Sequence, residues 1–288
     1  MPEPTRSRLG GRIRADRGLA VAILLAMLAA VLVATDGLGA SSPPADPPHP
    51  PEEPFRRCAT DDESARSGSA VLALETTRRA GESIHYRAAL SWRRDSGETR
   101  LLLRMEAPED LRGSAFLWIE SDESPADARA FAYLPEIDAV RPLGRRRLRA
   151  PLFGTDITID DLRRLRGLAD GDAVDSYRET KLLGRPVWRI EGHASDDRDE
   201  GRLLGWLDRE RCVLIRAELL DRKGRLKKVV RADPARVESH GGRWLTLELS
   251  IRDVREESLT RVDVLSIDLE DAPASLFEPE ALGPAKAG

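Results

Sequence analysis

Histidine, cysteine and paired carboxylates are the residue types here that could do chemistry, and their spacing in this 288-residue chain marks no reaction. His49, His85, His193 and His240 are scattered singly, with no H-E-x-x-H and no C-x-x-C, so a dedicated transition-metal site is not expected. No G-x-S-x-G elbow, Walker loop or G-x-G-x-x-G fingerprint marks a nucleophile or a phosphate cradle. Carboxylates adjoin at Asp160-Asp161, Asp196-Asp197 and Glu256-Glu257. Such pairs can divide acid and base roles, but in charged, turn-like stretches a solvated face is the simpler account. No catalytic residue, metal ligand or cofactor is therefore expected, and the chain reads as a binding protein rather than an enzyme. Cys58 and Cys212 have no zinc spacing, and Cys58 follows Phe55-Arg56-Arg57 rather than the Leu and small residues of a lipobox. An even pair of cysteines in an oxidising compartment can bridge, here tying the start of the body to its middle; two buried thiols are the alternative.

The compartment is read from the N-terminus. Arg6, Arg8, Arg12, Arg14 and Arg17 lead into an uninterrupted apolar stretch from Gly18 to Ala34, the pattern of an export signal or an N-terminal anchor. The stretch is long for a signal h-region and short for a membrane span. The best exit site, after Ala40, carries a large Leu38 at its −3 position, so cleavage and retention both stay open. Either one places the remainder outside the cytoplasm. Residues 43–54 (PPADPPHPPEEP) form an extended Pro-rich linker. The expected organisation is a signal or anchor over 1–40, a linker over 41–69, a β-domain over 70–282 and a tail over 283–288. With 46 basic against 50 acidic residues, a net charge of −4 and a pI near 5.8, the chain lacks the positive surface of a nucleic-acid binder.

Beyond residue 70 the dominant period is two. Ile84, Tyr86, Ala88, Leu90 and Trp92 alternate with more polar residues, and Asp95-Ser96-Gly97 turns that strand into one carrying Leu101, Leu103 and Met105. Ser114–Ile119 (SAFLWI) and Ala130–Leu134 (AFAYL) are more fully apolar. Further strands are expected at 181–190, 203–207, 212–220, 226–230, 245–251 and 261–269, giving about ten. The one longer helix follows Thr158, a suitable N-cap, with Ile159, Leu162, Leu165 and Leu168 at near-helical spacing. A short terminal turn is expected over 274–282.

Three segments in the middle resemble a known family: Pro108 and Asp110 leading to Gly113–Leu117; Tyr133-Leu134-Pro135 followed by Val140-Arg141; and Phe153-Gly154-Thr155-Asp156 followed by Asp160-Asp161-Leu162. Together with Gly205-Trp206-Leu207-Asp208, Asp221-x-x-Gly224-x-x-Lys227 and Leu276-Phe277, their order is similar to the outer-membrane lipoprotein-sorting, LolA-like proteins of the LolA/LolB lipid-carrier superfamily. The resemblance implies an α+β, mainly β fold: an incomplete, strongly curved antiparallel β-barrel covered by short helices. It also implies a periplasmic carrier that binds lipid or lipoprotein acyl chains in a hydrophobic cavity and hands them to another membrane, an inner-membrane transporter or an acceptor protein. The competing expectation is a membrane-tethered sensor or adaptor that binds a protein partner through the β-domain.

The expected cavity lining is the set of bulky residues on the middle strands: Leu103, Met105, Phe116, Trp118, Phe131, Tyr133 and Trp206. Phe153, Gly154, Thr155 and Asp156 shape a cover beside it; alternatively, Gly154 only permits a tight turn in which Asp156 bonds nearby backbone.

Overall fold

The computed structural model describes Pro54, Cys58 and residues 66–95, 97–121, 124, 127–144, 150–166, 173–193 and 201–284, all within the compact unit His49–Gly288. The apolar stretch 18–34, the start of the Pro-rich linker and Leu168 lie outside the described residues. Among the described residues, no helix is long and apolar enough to cross a membrane.

The first half contributes β1 (Ser67–Thr77), β2 (Ser83–Asp95), β3 (Glu98–Ala107), β4 (Ala115–Ser121), β5 (Arg129–Leu134) and β6 (Ala139–Pro142). Helix α1 (Ile159–Arg166) follows, then β7 (Ala173–Leu182), β8 (Arg185–His193), β9 (Arg202–Asp208), β10 (Leu214–Leu220) and β11 (Leu226–Ala232). The last strands are β12 (Val237–His240), β13 (Arg243–Thr246), β14 (Glu248–Asp253) and β15 (Ser258–Asp268). Thirteen strands form one antiparallel sheet in the order β6-β5-β4-β3-β2-β1-β15-β14-β11-β10-β9-β8-β7, while β12 and β13 form a separate ribbon. The described strands thus number fifteen rather than about ten. The sheet does not close into a barrel: β6 and β7 are its two edges, and neither pairs with the other. The expected covering of short helices reduces to α1 and a few 3-10 turns among the described residues.

The period-two pattern has a direct structural cause. Ala70, Leu72 and Leu74 of β1 share an inward face with Tyr86 and Ala88 of β2 and Met105 of β3, and that face continues through Val262, Ile251, Val230, Leu219 and Leu203. Alternate residues point to opposite faces of a pleated strand, so a one-residue slip would expose this whole row.

β4 departs from alternation because both of its faces are covered. Phe116 and Trp118 pack with Leu152 and Ile159 on the inward side, while Ala115, Leu117 and Ile119 pack on the outward side with Phe277 and Leu282. The chain after β15 crosses back over the outward face as two 3-10 turns, Ala274–Phe277 and Pro279–Ala281. Arg104 fixes this strap by donating to the carbonyls of Leu282 (2.9 Å) and Ala281 (3.3 Å), and Arg93 donates to the Ala272 carbonyl (2.8 Å). Strands buried on two faces read as continuous apolar runs, which is the reason for SAFLWI.

Candidate functional site

An apolar cavity of about 50 Å3 lies between the inward face and the segment leading into α1. Leu72 and Leu74 of β1, Ala88 and Leu90 of β2, and Leu101, Leu103 and Met105 of β3 form its wall. Leu152, Phe153, Thr155, Ile157 and Leu162 form its cover, in which Thr155 is the one polar residue. Thr155 turns its hydroxyl away to the Leu152 carbonyl (2.7 Å), leaving the cavity without a polar partner for water.

The local sequence dictates the cover's shape. Phe153 and Gly154 both sit in the left-handed region, at φ 48° and 79°. This conformation costs a side-chain-bearing residue about 1 kcal/mol and glycine almost nothing. The turn is held from the β1–β2 hairpin, where Arg78 donates to the Gly154 carbonyl (3.1 Å). Helix α1 then starts on a reciprocal cap. The Asp161 N–H reaches the Thr158 hydroxyl (3.2 Å), and Asp161 Oδ2 accepts from both the Thr158 N–H and its hydroxyl (2.8 Å each).

A buried polar network fastens this cover to the far strands. Lys228 Nζ on β11 donates to Asp161 Oδ2 (2.8 Å) and to the Asp156 carbonyl (3.0 Å). The Asp156 carboxylate accepts from the Ser258 and Thr260 hydroxyls of β15, the latter at 2.8 Å, and the Asp156 N–H donates back to Thr260 Oγ1 (2.9 Å). Thr260 gives its one hydroxyl hydrogen to Asp156, so Thr76 of β1 is the donor in their 2.9 Å contact. The reading in which Asp156 bonds nearby backbone is thereby corrected: its carboxylate partners lie on β15, more than a hundred positions away.

Two residues of α1 show how strongly the sheet bends. Asp161 is paired with Lys228 of β11, while Arg163 lies over the Trp118 ring of β4 (5.2 Å to the centroid) and pairs with Glu120. In the sheet order β4 and β11 are six strands apart, about 29 Å in a flat sheet. One helix, about 10–12 Å across with its side chains, meets both strands from its opposite faces, as a sheet curled around it allows.

The sequence-derived lining divides between two faces. Leu103 and Met105 line the cavity, and Phe116 and Trp118 share their inward face in the adjoining cluster with Leu152 and Ile159. Phe131 and Tyr133 belong instead to the outward cluster beneath the strap, where Tyr133 donates to Asp138 (3.0 Å). Trp206 is also outward, between Arg189 (5.7 Å) and Arg216 (5.4 Å), because Leu203 and Leu207 take the inward positions of β9. Sequence reasoning missed Leu72, Leu74, Ala88, Leu90 and Leu101 of the wall, which carry a period-two signal but no aromatic ring to draw attention, and Leu152, Ile157 and Leu162 of the cover. Cys58 and Cys212 form a disulfide with a Cα–Cα distance of 5.3 Å, and Cys58 packs on Trp188, Ile190 and Leu207. Among the described residues, no group of three or more His, Cys, Asp or Glu is placed to hold a metal.

Comparison with known proteins bears on this geometry. A model of a family described as uncharacterized-protein-like matches residues 97–283. No curated protein matches the chain. Among solved structures, a domain from Vibrio parahaemolyticus assigned to outer membrane lipoprotein sorting is 19% identical, with a TM-score of 0.69 over 80% of this chain and 95% of its own. A DUF1329 family protein from Desulfovibrio piger is 18% identical, with a TM-score of 0.71 over 81% and 99%. A LolA superfamily protein from Nitrosomonas europaea is 15% identical, with a TM-score of 0.58 over 79% and 96%. At these identities the likeness establishes a shared LolA-like fold.

Proposed function

Since the chain belongs to the uncharacterized-protein-like family matched over residues 97–283 and has a LolA-like fold, we propose that it is an extracytoplasmic carrier of lipid or lipoprotein acyl chains. The observation that carries this reading is the cavity: apolar, walled by aliphatic side chains and Met105, and roofed by a segment that contributes no strand to the sheet. An acyl chain entering such a space gains roughly 0.8 kcal/mol for each methylene removed from water, and no reaction is needed to hold it.

At about 50 Å3 the cavity is in a closed state. Occupied ligand pockets run to roughly 300–1,000 Å3, so cargo enters by displacing Phe153, Ile157 and Leu162 from the β1–β3 wall. The polar network gives that motion two defined positions. A cover held by Lys228 and Thr260 closes over an empty cavity and is lifted when acyl contacts outweigh those bonds. The working lining is therefore Leu103 and Met105 with the cover residue Phe153, while Phe116 and Trp118 form the adjoining wall. The carrier acts in the periplasm, receiving cargo from one membrane and delivering it to another or to an acceptor protein.

Native mass spectrometry of the full chain, extracted gently from its own membranes, tests the reading. A lipid- or acyl-peptide-sized increment on the protein is expected. Repeated recovery of the bare mass together with a stoichiometric protein partner would overturn it in favour of an adaptor.

A further inference from the structure

The geometry points to the end of the sheet formed by the β7–β8 turn, the β9–β10 turn and the β12–β13 ribbon as a surface that docks on an anionic phospholipid bilayer. It rests on the extracytoplasmic reading above but not on the cavity.

These three features are contiguous. Leu182 packs against Val213, Ile215 and Val237; Arg185 pairs with Asp208 and Glu210; and Arg211 lies 4.8 Å from the Trp244 ring while donating to the Pro234 carbonyl (3.1 Å). Leu183 stands at the tip, 74% exposed, in a two-residue turn with φ of 52° followed by Gly184 at 78°. Such turns favour Asn, Asp or Gly at the first position, and a leucine there carries left-handed strain with no burial to offset it. Trp244, 40% exposed, presents an amphipathic ring under a guanidinium, the pairing common where protein meets the lipid headgroup layer.

Charge distinguishes the immediate surroundings of the exposed apolar side chains at the two ends. Lys181 lies two residues before Leu183 and Arg243 directly precedes Trp244, so each apolar group sits beside a cation suited to anionic headgroups, while Arg185 is held by Asp208 and Glu210. At the other end of the strands Ile137 is also exposed, at 53%, but lies between Glu136 and Asp138, whose charges the same headgroups repel.

The covalent route of the chain adds an independent argument. Cys212 belongs to the β9–β10 turn, and its bond to Cys58 fixes the N-terminal chain at this end. Residues 35–57 alone separate that point from the apolar stretch 18–34. Whether that stretch is retained or removed, the chain enters the domain beside Leu183 and Trp244.

The test uses full-length protein with the Cys58–Cys212 bridge intact and a single environment-sensitive fluorophore at Leu183→Cys or, separately, at Ile137→Cys. Each is mixed with vesicles of phosphatidylethanolamine and phosphatidylglycerol carrying a quencher on the acyl chain. At least about threefold quenching is expected at 183, with no change at 137, as an interfacial apolar group enters the headgroup boundary. Equal quenching at both sites, quenching at 137 alone, or none at either overturns the assignment. Lipid retained in the mass spectrum without quenching at 183 removes the docking surface and leaves the carrier standing. Quenching without retained lipid does the reverse.

Discussion

Lys228 and Asp161 lie 67 positions apart in the chain and 2.8 Å apart in the fold, each almost wholly buried, and their pairing joins strand β11 to the first turn of α1. Asp161 also forms the reciprocal cap with Thr158 at that turn, so one carboxylate helps start the helix and fastens it.

Removing the ammonium strands the carboxylate. Lys228→Met is expected to destabilise the protein by about 3 kcal/mol, since breaking a buried pair leaves an uncompensated charge. Urea denaturation reads the loss, and Lys228→Met combined with Asp161→Asn is expected to recover part of it. Equal stability of wild type and the single variant would show that the pair contributes nothing.

Filling the cavity separates binding from folding. Ala88 is fully buried in the wall, and Ala88→Val adds two carbons to a space of about 50 Å3. Stability is expected to stay within about 1 kcal/mol, because overpacking is offset by filling a void. The lipid increment in native mass spectra is expected to fall severalfold. An unchanged increment would place the cargo elsewhere.

The bridge from Cys58 to Cys212 spans 154 positions. Replacing both cysteines by serine is expected to cost about 2–5 kcal/mol, as the unfolded chain regains the freedom the cross-link removed. Wild-type protein in reductant should unfold at the same urea concentration as the double variant, and the double variant should be indifferent to reductant.

Two aspartates make the fold acid-sensitive. Burial pushes the Asp208 carboxyl up, but the Arg185 guanidinium and the N–H groups of Glu210 and Arg211 outweigh it and hold the carboxyl below its ordinary value. Asp221 lies well below the usual carboxylate range through the Arg225 N–H, against the opposing effect of burial, with help from the Arg225 side chain and the Lys223 N–H. Groups depressed on folding add stability above their unfolded value of about 3.9 and lose it as pH falls through the folded one. The urea midpoint is therefore expected to be flat near neutrality and to drop below about pH 4. Asp208→Asn is expected to cost about 2 kcal/mol at pH 7 and to shrink the acid-induced drop.

Much of the fold is legible because alternation is a local signal with a local cause. The turns at Gly97 and Gly224, both with positive φ, the Thr158 cap and the doubly apolar β4 all follow from short stretches of sequence. Alternation, however, gives the period and not its sign. In LLGWLD the small Gly205 and not the bulky Trp206 points inward, since Leu203 and Leu207 set the phase. Phe131 and Tyr133 turn outward only because the strap, distant in sequence, supplies them a core. The end of β13 and most of β14 read as one strand at 245–251, although the chain changes sheets at Leu247. Lys228 had one available signal, its even spacing with the inward Val230, but its importance depends on α1 arriving from elsewhere in the chain.

An open sheet differs mechanically from a barrel. In a barrel, strand number and stagger fix the diameter, whereas a sheet that ends at two edges, as the described strands do, is an elastic strip whose radius is set by whatever it wraps. Here the gauge is α1, held to β4 by Arg163 and to β11 by Asp161. Lifting the helix would let the strip relax, so the room beneath it and the curvature above it change as one coordinate. A longer cargo would then be accommodated by unrolling the strip rather than by carving a deeper hole.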